Sequence, residues 1–290
     1  MGDDTAVLPP PAAKHLLLTN DSLIWGQHFD ESASPEQAGA KLVKRNLSDI
    51  AAMGGTPLHA VLALSCGDDL SLCWLERFFE GIARCSAQYR CEINGGDVTQ
   101  GPSGTFGATL TLLGESNRPI LRTAGQPGSS IWVTGSLGGS IQGHHLNFDP
   151  RLDEGQWLAK QSQTMALMDI TDGIAQDLPK MIPDDMQAQI DPLAIPISAA
   201  AQNASIRSDR TALWHSLYDG EDYELLIITR PETDDETFLE NWNTFSNLPL
   251  TRIGALRSAP EGKSPLPSVV DLDNVPLFSD HGFEHFRPQS

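Results

Sequence analysis

Asn46-Leu47-Ser48-Asp49-Ile50-Ala51-Ala52-Met53-Gly54 puts a carboxylate near the end of an amphipathic helix, and the rest of the chain is read outward from it. Ser34-Pro35-Glu36 supplies an N-cap, a first-turn proline and an acidic first turn. The predicted helix runs from there through Lys41, Leu42, Asn46 and Ile50 to Met53-Gly54-Gly55. A carboxylate close to a helix C-terminus is unfavourable against the helix dipole unless a cation compensates it. Asp49 therefore directs attention to a metal.

Five other stretches set acidic residues beside glycine or an amide: Gly2-Asp3-Asp4, Asn20-Asp21, Gly95-Gly96-Asp97, Asp169-Ile170-Thr171-Asp172-Gly173 and Asp219-Gly220-Glu221-Asp222. Carboxylate oxygens hold hard cations such as Mg2+, and glycine lets a phosphate approach the backbone beside them. The surrounding elements alternate between strand and helix. A short strand over 15–20 should leave Thr19, Asn20 and Asp21 at its C-terminal edge. Strands are expected over 58–64, 91–93 and 105–113, with a helix over 71–89 carrying Trp74, Phe78, Ile82 and Cys85 on one face. Gly125-Gln126-Pro127-Gly128 lies in the best boundary stretch. Beyond it come strands over 131–133, 166–168 and 223–229, and helices after Pro150 and over 172–181.

Composition narrows the function. The chain has 290 residues and a formal charge of -19, with 38 acidic against 19 basic residues. A phosphate backbone needs clustered Lys and Arg, so nucleic acid is a poor partner. An acidic protein that binds anionic phosphates must bring cations to them. No apolar run reaches the roughly 20 residues that span a bilayer. The acidic start lacks the charged and apolar regions of a secretory signal, so a cytoplasmic location is expected. Cys66, Cys73, Cys85 and Cys91 have no C-x-x-C spacing and read as reduced thiols.

Familiar catalytic motifs are missing. Gly262-Lys263 is followed by Ser264 but lacks the glycine spacing of a P-loop, and no G-x-S-x-G elbow occurs. The Gly135 to Gly143 stretch reads as a strand-helix turn, and the adjacent His144 and His145 have no partner spacing.

Taken in order, Gly2-Asp3-Asp4-Thr5-Ala6-Val7-Leu8, Asn20-Asp21-Ser22-Leu23 with Gly26-Gln27-His28-Phe29, the Asn46 to Gly54 string, Gly95-Gly96-Asp97-Val98-Thr99-Gln100-Gly101-Pro102, Asp169 to Gly173 and Gly220-Glu221-Asp222-Tyr223-Glu224-Leu225 resemble the motifs of the thiamine-monophosphate kinases. That family lies within the aminoimidazole ribonucleotide synthetase superfamily, and the resemblance spans nearly the whole chain. It implies a two-domain α/β (α+β) fold. Residues 1–122 would form an ATP- and Mg2+-binding domain whose mixed sheet and helices build a dimer barrel, and 123–290 a C-terminal α/β sandwich.

The resemblance also implies roles. Asp4, Asp21, Asp49, Asp97 and Asp169 would hold several Mg2+ ions, with Thr19, Asn20 and Asp172 completing their shells. Gly96, Asp97, Arg122 and Thr171 would meet ATP, while His28, Glu221 and Phe283 would face thiamine monophosphate. Lys41 matches a family lysine. Asn20 stands where the family usually has Thr, and Gln100 where it has Arg. The implied reaction is direct transfer from ATP to thiamine monophosphate in a homodimer. No protein acid or base is needed, because a phosphate monoester with a second pKa of about 6 is its own nucleophile at pH 7. Two alternatives stay open: a sibling ATP-dependent synthetase, and a silent paralogue that binds thiamine phosphates or nucleotides.

Overall fold

A computed structural model describes residues 10–260 and 269–278. The chain divides into two compact units, Met1–Pro119 with Leu146–Gln156, and Ile120–His145 with Trp157–Ser290.

In the first unit, strands β1 (His15–Ile24), β2 (Thr56–Cys66), β3 (Glu92–Gln100) and β4 (Phe106–Ser116) form a sheet in the order β1-β4-β2-β3. β4 is antiparallel to both β1 and β2, whereas β2 and β3 are parallel. Two helices cover one face: α1 (Pro35–Ala52) and α2 (Leu72–Gln88). α1 starts where expected, because Ser34 and Gln37 close a reciprocal capping box ahead of Pro35. Ser71 caps α2 with a single bond, its hydroxyl accepting from the Trp74 amide. Every second residue of β4 is buried, so Leu110 and Leu112 meet Leu42, Leu47, Ile50 and Phe78 in one core. The other face of the sheet leaves Leu16, Leu18, Ile24 and Val61 exposed.

Two expectations about this sheet are corrected. β1 does not end at Asn20 but continues to Ile24, since its polar residues find partners across the ladder: Asn20 Nδ2 donates to Thr111 Oγ1 (2.6 Å), and Ser22 and Thr109 share a hydrogen bond of 2.7 Å. Thr19, Asn20 and Asp21 are therefore mid-strand. Likewise Gly95-Gly96-Asp97 is not a turn after a strand but part of β3, hydrogen-bonded alongside β2.

The second unit is a six-stranded sheet in the order β10-β7-β9-β5-β8-β6. Its strands are β5 (Ser130–Thr134), β6 (Thr164–Asp169), β7 (Met186–Ile190), β8 (Leu225–Thr229), β9 (Leu250–Ser258) and β10 (Val269–Val270). β5 and β8 are buried along their whole length, as strands covered on both faces must be. Ile131, Val133, Leu226 and Ile228 pack with Ile174, Leu178 and Leu217 on one side. On the other, Trp132 meets Phe238 of the helix Asp235–Phe245. The helix expected over 172–181 is shorter, an α-turn Ile174–Asp177 running into a 3-10 turn Leu178–Met181.

The four cysteines are free, and burial pushes the Cys85 and Cys91 thiols up to about 12. No helix among the described residues is long and apolar enough to cross a membrane.

Candidate active-site residues

Within the first unit, the end of α1 lies over β1. Thr19 Oγ1 donates to Asp49 Oδ2, and Arg45 Nη2 sits 3.2 Å from Asp21 Oδ1. Thr19 and Asp21 are two residues apart on a strand and so share its helix-covered face. Burial, and after it the charge on Asp21, push the Asp49 carboxyl up to about 6 against the pull of Thr19 and Arg45. This is a seat with two acids and one guanidinium. Asn20 points to the opposite face, toward Thr111, and is not brought together with Thr19 and Asp21.

Asp97 is exposed on the edge strand β3, where Thr99 Oγ1 donates to it at 2.9 Å. Asp21 pairs with Leu110, Leu110 with Leu62, and Leu62 with Gly96, so Asp97 stands one residue along and three strands away from Asp21. At ~4.8 Å per strand, their backbones are separated by ~14 Å, too far to share one ion. Gly96 is required by packing: a Cβ there would lie 2.0 Å from the Leu62 carbonyl oxygen.

His28 is held from two sides. Its Nδ1 accepts the Ile24 amide at 3.0 Å, so the neutral ring carries its proton on Nε2. The fully buried Lys41 donates to the His28 carbonyl at 2.6 Å and thereby ties α1 to the loop that carries His28. Asp4 and Phe283 lie outside the described residues. Among the described residues, no three of His, Cys, Asp and Glu gather as a metal cage.

In the second unit, Asp169 is the buried last residue of β6. The turn after it is built on Asp177, whose Oδ2 accepts the Thr171 and Asp172 amides, each at 2.8 Å. Lys180 Nζ bridges Asp172 and Asp177, also at 2.8 Å each, so the Asp172 carboxylate already faces a protein cation. Burial pushes the Asp177 carboxyl up even though Lys180 opposes it. Burial lowers Lys180, yet its bonds to Asp172 and Asp177 overcome this and raise it. With two amides and an ammonium converging on Asp177, we take the pair as ionised. Arg122 is exposed in the segment leading to β5.

Glu221 is tied to the same turn, its amide donating to the Thr171 carbonyl at 2.7 Å, while the Tyr223 amide donates to Ile170 at 2.9 Å. Both residues have left-handed φ, +53° and +51°, an uncommon conformation for side-chain-bearing residues. The Glu221 carboxylate accepts from the Tyr223 hydroxyl at 3.1 Å and lies 3.2 Å from His145 Nδ1. No pattern in the sequence joins His145 to Glu221; the fold alone brings them together.

Asp222 and Asp219 instead build the frame. Asp222 Oδ1 accepts the Gly138 amide at 2.7 Å, and Asp219 Oδ2 accepts that of Gly139 at 2.8 Å. The amides that could have cradled a phosphate are thus satisfied by carboxylates, and the glycine stretch is a strand-helix turn. Burial pushes the Asp222 carboxyl well above its ordinary range.

Residues 2–116 match the family model of the AIR synthase related protein, N-terminal domain. The chain is 34% identical to the thiamine-monophosphate kinase of Rhodopirellula baltica, over 88% of this chain and 82% of that one. Its fold is similar to the crystal structure of thiamine-monophosphate kinase from Stenotrophomonas maltophilia, with a TM-score of 0.80 at 30% identity over 95% and 90% of the two chains. The structure described as AaThiL complexed with AMPPCP and TMP is also similar, with a TM-score of 0.78 at 29% identity over 93% and 87%. Matches of this extent, over both units and nearly the full length of the relatives, make the chain a member of the thiamine-monophosphate kinase family.

Proposed function

We propose that this chain phosphorylates thiamine monophosphate to thiamine diphosphate at the expense of ATP, by direct in-line transfer assisted by several Mg2+ ions. The observation that carries the reading is the match in sequence and fold to thiamine-monophosphate kinases, one of them complexed with AMPPCP and TMP. The acidic seat on α1 and β1 supports the metal part. Its donors are all oxygen, and a carboxyl held up to about 6 beside a second carboxylate is relieved by a divalent cation. Mg2+ is usually held by one or two carboxylates plus phosphates and waters, so two acids and a hydroxyl fit it without a cage of three.

On this reading Asp21, Asp49 and Thr19 serve one ion, and the distant Asp97 serves another. Asp4 belongs with them by resemblance. In the second unit Asp169 supplies an oxygen ligand, Thr171 lines the phosphates, and Asp172 shares its carboxylate between Lys180 and metal. Arg122 meets ATP, while His28 Nε2–H, Glu221 and Phe283 receive the acceptor substrate. Bound Mg2+ would neutralise the phosphates that otherwise repel each other. The protein's residues orient the two anions in line, and the acceptor phosphate attacks without a protein base.

The test is turnover of ATP and thiamine monophosphate with and without Mg2+, using ATP chiral at the γ-phosphorus. Thiamine diphosphate should form only with the metal and with inversion. Net retention would refute direct transfer, and ligand-stabilised melting without product would favour a binding paralogue.

A homodimer belongs to the same reading. The uncovered face of the first sheet carries Leu16, Leu18, Ile24 and Val61, and it borders a cavity of about 130 Å3 lined by Leu18, His59, Val61, Thr111 and Leu113. An exposed apolar sheet face fits a second copy. Leu18→Asp should therefore give a monomer by sedimentation at concentrations where the parent chain is a dimer. An unchanged mass would place the interface elsewhere.

A further inference from the structure

We propose that Arg45 is a tethered counter-ion of the acidic seat, holding Asp21 where a cation belongs and competing with the divalent ion for that carboxylate until the nucleotide's phosphates arrive. The proposal rests on the reading that the seat takes a divalent cation, and it adds what decides when the seat is filled.

The position of the guanidinium follows from helix spacing. Arg45 and Asp49 are four residues apart on α1 and so share one face, the face laid over β1. From it Arg45 Nη2 reaches Asp21 Oδ1 at 3.2 Å, while Asp49 Oδ2 accepts from Thr19 Oγ1. The neighbouring Lys41 and Lys44 ammoniums donate to the His28 and Phe148 carbonyls. The Arg45 and Asp21 side chains are 15% and 28% exposed, so the pair is largely withdrawn from water and little screened by salt. Burial pushes the Asp49 carboxyl up and Arg45 pulls against it, so one guanidinium is felt by both acids.

The chemistry of the group fixes the consequence. A guanidinium stays protonated at any physiological pH, so it cannot yield the seat by losing its charge. A divalent ion that takes an oxygen of Asp21 therefore enters beside a positive group, against a repulsion that is strong where water is excluded. Nucleotide phosphates change this balance twice. They add negative charge beside the ion, and they offer the guanidinium pairs of oxygens that it bonds in bidentate fashion. The seat should thus fill poorly with metal alone and well with metal and nucleotide together. Such coupling is reciprocal, so each ligand tightens the binding of the other.

The test is titration of Mn2+ into the full chain, followed by the paramagnetic resonance of the free ion, with and without AMPPCP. The seat is identified, with AMPPCP present, as the binding that Asp49→Asn removes. Without nucleotide, Arg45→Met and Arg45→Gln should bind Mn2+ there about tenfold more tightly than the parent, because the repelling charge is gone from both. Arg45→Lys, which keeps the charge, should stay near the parent. So should Arg84→Met, which removes an equal charge from an exposed position on α2. AMPPCP should narrow the gap between Arg45→Met and the parent, and melting curves show which variants fold. Folded Arg45→Met and Arg45→Gln chains with parental or weaker Mn2+ affinity would overturn the proposal. Equal tightening by Arg84→Met would overturn it too, since net charge alone would then suffice. Unchanged Mn2+ binding by Asp49→Asn would instead refute the metal reading of the seat, and this proposal with it.

Discussion

Asp49→Asn should reduce thiamine diphosphate formation by about 100-fold or more while raising the melting temperature of the metal-free protein above neutral pH. The activity loss follows from the proposed ligand role, since even partners one shell removed from a metal cost about 10- to 100-fold when replaced. The stability gain follows from the titration of the native side chain. Folded Asp49 has its pKa raised from 3.8 to about 6, chiefly by burial and next by Asp21 on the raising side. A raised folded pKa means that the stability contribution is fully present below about 4, where both states are protonated, and is lost as pH rises through about 6. Above that pH the fold carries a penalty of at most about 3 kcal/mol. Asparagine carries none and can still accept from Thr19 Oγ1.

Two measurements check this together. In Mg2+-free buffer the fall in melting temperature between about pH 4 and pH 7 should be smaller, or the rise larger, in Asp49→Asn than in the parent chain, by the part of the slope that Asp49 contributes. Added Mg2+ should raise the parent's melting temperature at pH 8 and act less on the variant. Near-normal turnover by Asp49→Asn would contradict the metal assignment, whatever the melting curves do. Arg45 sharpens the expectation, because its guanidinium already offsets part of the charge on Asp21. An ion entering the seat must share Asp21 with it.

How far the sequence discloses this seat depends on the range of the interactions. α1 is legible because its signals are local: the Ser34–Gln37 capping box, Pro35 in the first turn and an apolar stripe in helical register. The same holds for Ser71 and α2. β1 is only half legible, since a run of polar residues looks like a strand end until Thr109 and Thr111 on β4 are seen to satisfy it. Once it is read as a continuous strand, period two alone separates Asn20 from Thr19 and Asp21. β3 conceals itself for a related reason. Its glycines suggest a phosphate turn, but Gly96 is glycine because the β2 backbone passes too close for any side chain. The resemblance supplies the order of the motifs and assigns Glu221 to the substrate, and the fold adds what the neighbours of Glu221 do. Within Glu221-Asp222-Tyr223-Glu224 only Glu221 keeps a solvent-reaching carboxylate, while Asp222 and Glu224 hold Gly138 and Thr134. Lys41, Arg45 and His145 act through partners distant in sequence, which no local pattern announces.

Asp177→Ala should destabilise the second unit by about 3–5 kcal/mol. The side chain is fully buried, and three donors converge on it: the Thr171 and Asp172 amides and the Lys180 ammonium. Removing it leaves two amides without their acceptor and returns Lys180 to Asp172 alone, a half-exposed pair worth little. A loss of that size lowers the melting temperature by about 6–20 °C for a unit of this length. The damage should reach Glu221, because the turn that Asp177 holds also accepts the Glu221 amide through Thr171. The Thr171 side should weaken ATP binding and the Glu221 side thiamine monophosphate binding, so both KM values should rise in any Asp177→Ala chain that folds. Asp177→Asn separates the two contributions. Its carbonyl oxygen can still accept the two amides, while its NH2 cannot pair with Lys180. The Asn variant should therefore keep most of the turn and lose chiefly the ion pair. If Asp177→Asn melted as low as Asp177→Ala, the Lys180 pair would be the dominant support. Parental stability in both would show that the turn stands without Asp177.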